Sequence, residues 1–122
     1  MQFKFAIGLT LICAAAFAVP AWPHHSHGNY EDTFMDIQGV VKEVHLVVPH
    51  SWIYLEVKDE KGQTTEWAVE INSPNFLKHN GWTSTIVKPG DVITVTGGAA
   101  KSGAKTMRCT TVVLPDGTVL RS

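Results

Sequence analysis

A succession of short runs rich in Val, Ile, Thr and aromatic residues constrains the fold of this chain most. From Ile37 onward such runs follow one another, and each has the length and composition of a β-strand. Turn-forming residues separate them, among them Gly62 in DEKGQ, Gly103 in KSGA and the PDG of 115–117. The predicted strands are 37–48, 51–58, 64–71, 91–97, 105–114 and 118–121.

One stretch, SPNFLKHNG at 73–81, departs from the strand pattern. Ser73 suits the capping position of a helix, Pro74 its first residue and Gly81 its stop. These signals predict a helix of about two turns. The predicted order is three strands, a short helix and two or three further strands.

This order predicts a mainly β fold, a small OB-fold-like barrel of five to six strands with its helix between strands three and four. An SH3-like barrel is the main alternative, but it does not ordinarily place a capped helix at that point. With 122 residues the chain has room for one domain.

The first residues predict an export signal. Lys4 precedes the apolar run AIGLTLICAAAFA, which is too short to span a bilayer as a helix, and small residues follow it. Cleavage before Val19 or before Trp22 suits these small residues. The predicted organisation is a signal peptide at 1–21, an extended N-terminal arm at 22–36 and the β domain at 37–122, in a periplasmic or secreted protein.

Charge and cysteine content exclude several classes of function. The chain has 10 Lys+Arg and 11 Asp+Glu residues without a basic block, which argues against nucleic acid as a partner. No second apolar run is present, so no membrane span is expected after cleavage. Removal of the signal leaves only Cys109, so no internal disulfide is expected.

The two-residue period of a strand predicts which side chains face the core. Aliphatic residues alternate with polar or aromatic ones in the second and third predicted strands. A bulge at Gly39 would shift the alternation in the first strand, whose faces therefore stay unassigned. The predicted inward residues are Ile53, Leu55, Val57, Trp67, Val69 and Ile71, and the predicted outward residues are Trp52, Tyr54, Glu56, Glu66, Ala68 and Glu70.

Several short motifs follow one another in a fixed order along the chain: His24-His25-Ser26, Pro49-His50-Ser51-Trp52, Trp67, Glu70, Ser73-Pro74-Asn75, Gly81-Trp82, Pro89-Gly90-Asp91 and Leu114-Pro115-Asp116-Gly117. As a set they resemble a family of small exported bacterial proteins that is classified only as a domain of unknown function. Val48 stands where that family usually has Asn before Pro-His, and His27 is an addition to its pattern. The resemblance implies an exported OB-like module and implies no activity.

Three histidines, His24, His25 and His27, lie within four residues of the arm. Neutral imidazole binds Cu(II), Zn(II) or Ni(II), and several imidazoles on one segment raise the local ligand concentration. In an extended arm His25 and His27 fall on the same side. The other interpretation is a solvated leader that Pro20 and Pro23 keep extended.

His50 and Trp52 form a second candidate site. A loop histidine beside an indole resembles the site of small periplasmic OB-fold copper chaperones, where Cu(I) is held by His and Met ligands under a Trp face. Those proteins carry two methionines that have no counterpart here. The structural interpretation has His50 hydrogen-bonded to a loop carbonyl and Trp52 half-buried under the arm.

The remaining polar and sulfur side chains are expected to have structural roles. Met107 and Cys109 share a strand face and are predicted to fill the core rather than to bind a soft metal. Glu66 and Glu70 are expected on a solvated face, with a hard-ligand role as the alternative. His79 suits the negative end of the predicted helix. The sequence contains no recognisable catalytic arrangement, so no enzyme is predicted.

Two hypotheses about function remain. In the first, the protein is a periplasmic metal-binding protein, with copper favoured over zinc, whose ligands are His24, His25, His27 and His50. In the second, it is a non-metal module that binds a small ligand or a protein partner through Trp52, Tyr54 and Glu70.

Overall fold

Six β-strands and one short α-helix make up the part of the chain that the computed structural model describes, residues 26–122. The mainly β fold class predicted from the sequence is confirmed. A 3-10 turn at Ser26–Asn29 precedes the first strand. The elements are β1 (Tyr30–His45), β2 (Ser51–Lys58), β3 (Thr64–Ile71), α1 (Pro74–His79), β4 (Val92–Ala100), β5 (Thr106–Val113) and β6 (Val119–Arg121).

The strands form one sheet that closes on itself. Neighbours in the order β3-β2-β1-β4-β5-β6 pair antiparallel, and β3 also pairs with β5 in parallel. The first five strands therefore make a closed ring, and β6 adds to the free edge of β5. The helix lies between β3 and β4, as the OB-fold-like prediction required.

The first strand is longer than predicted, because it begins at Tyr30 rather than at Ile37. Its early residues pair with the end of β4, and its later residues pair with β2. The predicted bulge at Gly39 is wrong: the register of β1 shifts between Val41 and Glu43 against β2, and between Tyr30 and Phe34 against β4. Gly39 is needed for a close approach, since a Cβ there would lie 2.6 Å from the backbone oxygen of Glu56.

The core fills the ring with the side chains that the two-residue period predicted. Ile53, Leu55, Val69 and Ile71 are fully buried, and Trp67 is 8% exposed. Val57, near the end of β2, is only partly buried. Each fully buried aliphatic side chain contributes about 1.5–3 kcal/mol through the hydrophobic effect. Other members of the core are Ile37, Val41, Leu77, Trp82, Val87, Ile93, Val95, Met107, Cys109, Val112, Leu114 and Leu120.

The helix α1 begins and ends where its capping residues predicted. The Ser73 hydroxyl accepts a hydrogen bond from the backbone N–H of Phe76 at 3.4 Å, and Pro74 is the first helical residue. Asn80 is the C-cap, and Gly81 follows with a φ of +88°, which favours glycine. The helix joins the core through Leu77, which is 1% exposed.

Candidate functional site

The most unusual side chain on the outer face of the ring is Glu70, because it is 4% exposed. It lies between the inward residues Val69 and Ile71 on β3, so its outward direction was predicted correctly. The expectation that it would be solvated is wrong. Side chains from distant parts of the chain cover it, and the strand period carries no information about them.

Three side chains contact the carboxylate of Glu70. The hydroxyl of Tyr30 donates a hydrogen bond to Oε2 at 2.6 Å. Nδ1 of His50 lies 2.5 Å from Oε1, and Nη1 of Arg108 lies 3.5 Å from the same oxygen. Both carboxylate oxygens therefore have partners, as a buried charge requires.

The fold brings these residues together through strand register. On β3, Glu70 pairs with Trp52 of β2 on one side and with Arg108 of β5 on the other. Tyr30 is the first residue of β1. Its backbone pairs with β4, and its side chain extends to Glu70. His50 immediately precedes β2. We refer to Tyr30, His50, Glu70, Asn72 and Arg108 as the Glu70 cluster.

The outer members of the Glu70 cluster are fixed by further hydrogen bonds. Nη2 of Arg108 donates to Oδ1 of Asn72 at 3.1 Å, and Nδ2 of Asn72 donates to the backbone oxygen of Ser122 at 2.9 Å. Burial, followed by the hydrogen bond to Glu70, raises the pKa of Tyr30 far above its ordinary value. The Tyr30 hydroxyl is therefore a permanent donor at neutral pH.

The loop that carries His50 is also held in place. Ser51 is fully buried, and its hydroxyl accepts a hydrogen bond from the backbone N–H of Val47 at 3.2 Å and lies 3.3 Å from the Val47 carbonyl, to which it donates. The Val48–Pro49 peptide bond in this loop is cis. The His50 side chain is 33% exposed, so its ring reaches solvent while Nδ1 contacts Glu70. The expected contact with a loop carbonyl is replaced by the contact with a carboxylate.

Aromatic residues lie beside the Glu70 cluster on the same outer face. Trp52 and Tyr54 are half-buried there, as predicted. The ring of Tyr54 meets His45 edge-on, with ring centroids 5.5 Å apart, and Nε2 of His45 lies 2.8 Å from Oε2 of Glu43. His45, Tyr30 and Arg108 were missed by the sequence analysis. For Arg108 the available signal was a cation flanked by Met107 and Cys109 within the predicted strand 105–114.

The predicted metal ligands are only partly within the described part of the chain. His24 and His25 lie outside the described residues, as does the side chain of His27. His79, which was given a structural role, places Nδ1 2.7 Å from the backbone oxygen of Asn75. Within the described residues, no three or more His, Cys, Asp or Glu side chains are grouped so that they could hold a metal ion.

The sulfur atoms of β5 face the interior. Met107 and Cys109 are 0% and 1% exposed, so the prediction that they fill the core is confirmed. Burial raises the pKa of the Cys109 thiol to about 11, and the thiol donates a hydrogen bond to the backbone oxygen of Thr111. An un-ionised, buried thiol is a poor nucleophile. A cavity of about 580 Å³ lies next to it, with Tyr30 and Arg108 among its lining residues.

Comparison with known proteins places the chain in a family. The sequence profile of a family of unknown function, DUF6152, matches residues 11–108. The chain belongs to this family. The resemblance to a domain of unknown function is thereby confirmed, and the match extends over β1, β2, β3, α1 and β4 to Arg108 of the Glu70 cluster. No curated protein matches the chain.

The described part of the chain contains no helix of the length and apolarity needed to cross a membrane.

Proposed function

We propose that this protein is an exported, periplasmic metal-binding protein whose ligands are the three arm histidines, His24, His25 and His27, together with His50. The main support for the proposal is the carboxylate of Glu70, which a residue of the arm and the loop histidine both contact. Tyr30 and His50 bind the two oxygens of the same Glu70. The arm therefore enters the domain next to the loop histidine.

The reach of the chain supports a site shared by arm and loop. His27 is three positions before Tyr30, a span of at most about 11 Å between Cα atoms. The backbone oxygen of Asn29 accepts a hydrogen bond from the N–H of Lys101 at 2.9 Å, which fastens the arm just after His27. A donor set made of imidazoles suits Cu(II), Zn(II) and Ni(II), and affinity within this series is highest for Cu(II). Copper is therefore the proposed metal.

The test is a calorimetric titration with Cu(II) of the mature protein and of three variants. The variant with all three arm histidines changed to Ala and the variant His50→Ala should each lose at least about tenfold in affinity. His79→Ala is the matched control, because it removes an imidazole engaged with its own helix. Equal affinity in all four proteins would reject the proposal. Loss in the arm variant but not in His50→Ala would reject the shared site.

A second candidate is binding of a small organic ligand or a protein partner on the outer face. The half-exposed rings of Trp52 and Tyr54 favour it. Glu70, assigned to this face from the sequence, is buried under Tyr30 and is therefore withdrawn from the surface such a ligand would contact. Trp52→Ala should abolish binding in this case, whereas the histidine variants should bind the partner normally.

A further inference from the structure

We infer that Glu70 is a positioning residue: it holds His50 with the proton on Nδ1, presents Nε2 as the metal-binding atom, and does not itself bind the metal. The metal-binding half of this inference rests on the proposed function. The orientation of His50 rests on the contacts of Glu70 alone.

The hydrogen-bond partners of Glu70 exclude it as a ligand. Oε1 has His50 and Arg108 as partners, and Oε2 accepts the hydroxyl proton of Tyr30. A metal ion bound to either oxygen would have to displace one of these side chains from a position that is 4% exposed. The displaced guanidinium of Arg108, itself 9% exposed, would then lack its counter-charge.

The same contacts determine the tautomer of His50. An ionised carboxylate only accepts hydrogen bonds, so the Nδ1 atom beside Glu70 must carry the proton. In the neutral imidazole, Nε2 then has the free lone pair that a metal ion requires. A carboxylate that fixes a histidine in this way orients the ring and raises the basicity of the coordinating nitrogen.

The carboxylate is itself prevented from turning. Arg108 is hydrogen-bonded to Asn72, and Tyr30 is held by the pairing of β1 with β4. The ring of His50 consequently has a fixed partner on a fixed strand. The Glu70 cluster thus offers the metal one nitrogen and no carboxylate oxygen, which favours ions that prefer imidazole over Mg²⁺ and Ca²⁺.

The first test needs no substitution. In the metal-free mature protein labelled with ¹⁵N, long-range proton–nitrogen spectra should show neutral His50 as the Nδ1–H tautomer. Addition of Zn(II), which is diamagnetic, should shift the Nε2 resonance of His50. The Nδ1 resonance should keep the chemical shift of a protonated nitrogen. Observation of the Nε2–H tautomer in the metal-free protein would overturn the inference.

The second test is Glu70→Gln, which keeps the shape of the side chain and removes the charge. The variant should show a mixture of His50 tautomers and a loss of about 10–100-fold in Cu(II) affinity. Glu66→Gln is the matched control, because Glu66 lies on the same strand and the same face but is exposed. A backbone amide spectrum like that of the wild type verifies that each variant is folded.

The outcomes separate the two proposals. Wild-type Cu(II) affinity in a folded Glu70→Gln variant would overturn the positioning role, while the metal-binding function would stand. A wild-type protein that binds neither Cu(II) nor Zn(II) would overturn the proposed function, while an Nδ1–H tautomer in that protein would still support the orientation of His50 by Glu70.

Discussion

Removal of one hydroxyl group, in Tyr30→Phe, tests whether the Glu70 cluster stabilises the domain. The Tyr30 side chain is nearly buried, and its hydroxyl is the only side-chain donor that the described part of the chain offers to Oε2 of Glu70. Phenylalanine keeps the ring and its packing. The substitution therefore removes one hydrogen bond and leaves a buried carboxylate oxygen without that partner.

The expected loss of stability follows from the charge of the acceptor. A hydrogen bond to a charged group contributes about 1.5–3 kcal/mol to the free energy of unfolding, compared with about 1 kcal/mol for a bond between neutral groups. His50 and Arg108 still neutralise Glu70 in the variant, so we expect a loss in the lower half of that range, about 2 kcal/mol.

Urea denaturation at pH 7 measures the effect, with a linear extrapolation for each protein. Tyr54→Phe is the matched control, since the Tyr54 ring is only half-buried and its hydroxyl donates to no side chain within the described residues. This control should change stability by less than about 0.5 kcal/mol. Equal stability of the two variants, at an unchanged m value, would refute the role assigned to the Tyr30 hydroxyl.

Three further predictions concern the ring and its core. Gly98→Ala places a Cβ 2.1 Å from the backbone oxygen of Glu31, so it should destabilise the domain by at least about 1–3 kcal/mol in urea denaturation, whereas Gly28→Ala, which meets nothing within 4 Å, should be nearly neutral. Burial raises the pKa of the Cys109 thiol from its ordinary value of 9.0 to about 11, so its contribution to stability is complete below pH 9 and is lost as the pH rises towards 11. The fall in thermal stability between pH 8.5 and 10.5 should therefore be smaller in Cys109→Ala than in the wild type. Trp82→Phe removes an indole N–H that donates at 2.6 Å to a backbone carbonyl of β6, and should cost at least about 1 kcal/mol; no loss in urea denaturation would contradict the importance of this bond for attaching β6.

The sequence predicted those parts of the fold that depend on local patterns. Alternation of apolar and polar residues in 51–58 and 64–71 determined the faces of β2 and β3, and the capping residues determined α1. The first half of β1 was missed because the residues between Tyr30 and Ile37 are all exposed and do not alternate. Phe34, Met35 and Asp36 are held in the sheet by backbone pairing with β4, and such pairing leaves no mark in the side-chain pattern.

The candidate site was only half predictable for a related reason. His50 and the outward direction of Glu70 follow from sequence position and strand period. The burial of Glu70 does not, because Tyr30 covers it from 40 positions away in the sequence and Arg108 reaches it from 38 positions away. Only the register of the closed ring brings these residues together.

The closure of the ring and the orientation of His50 therefore depend on the same contacts. Arg108 is adjacent to Glu70 because β5 pairs in parallel with β3, and this pairing is the one that turns the sheet into a ring. Glu70 and His50 are already ordered in the folded domain before any ligand binds. Binding of a metal ion to His50 therefore costs less conformational entropy than binding to a mobile side chain. In the proposed site, His50 is consequently the ligand whose position the folded domain determines.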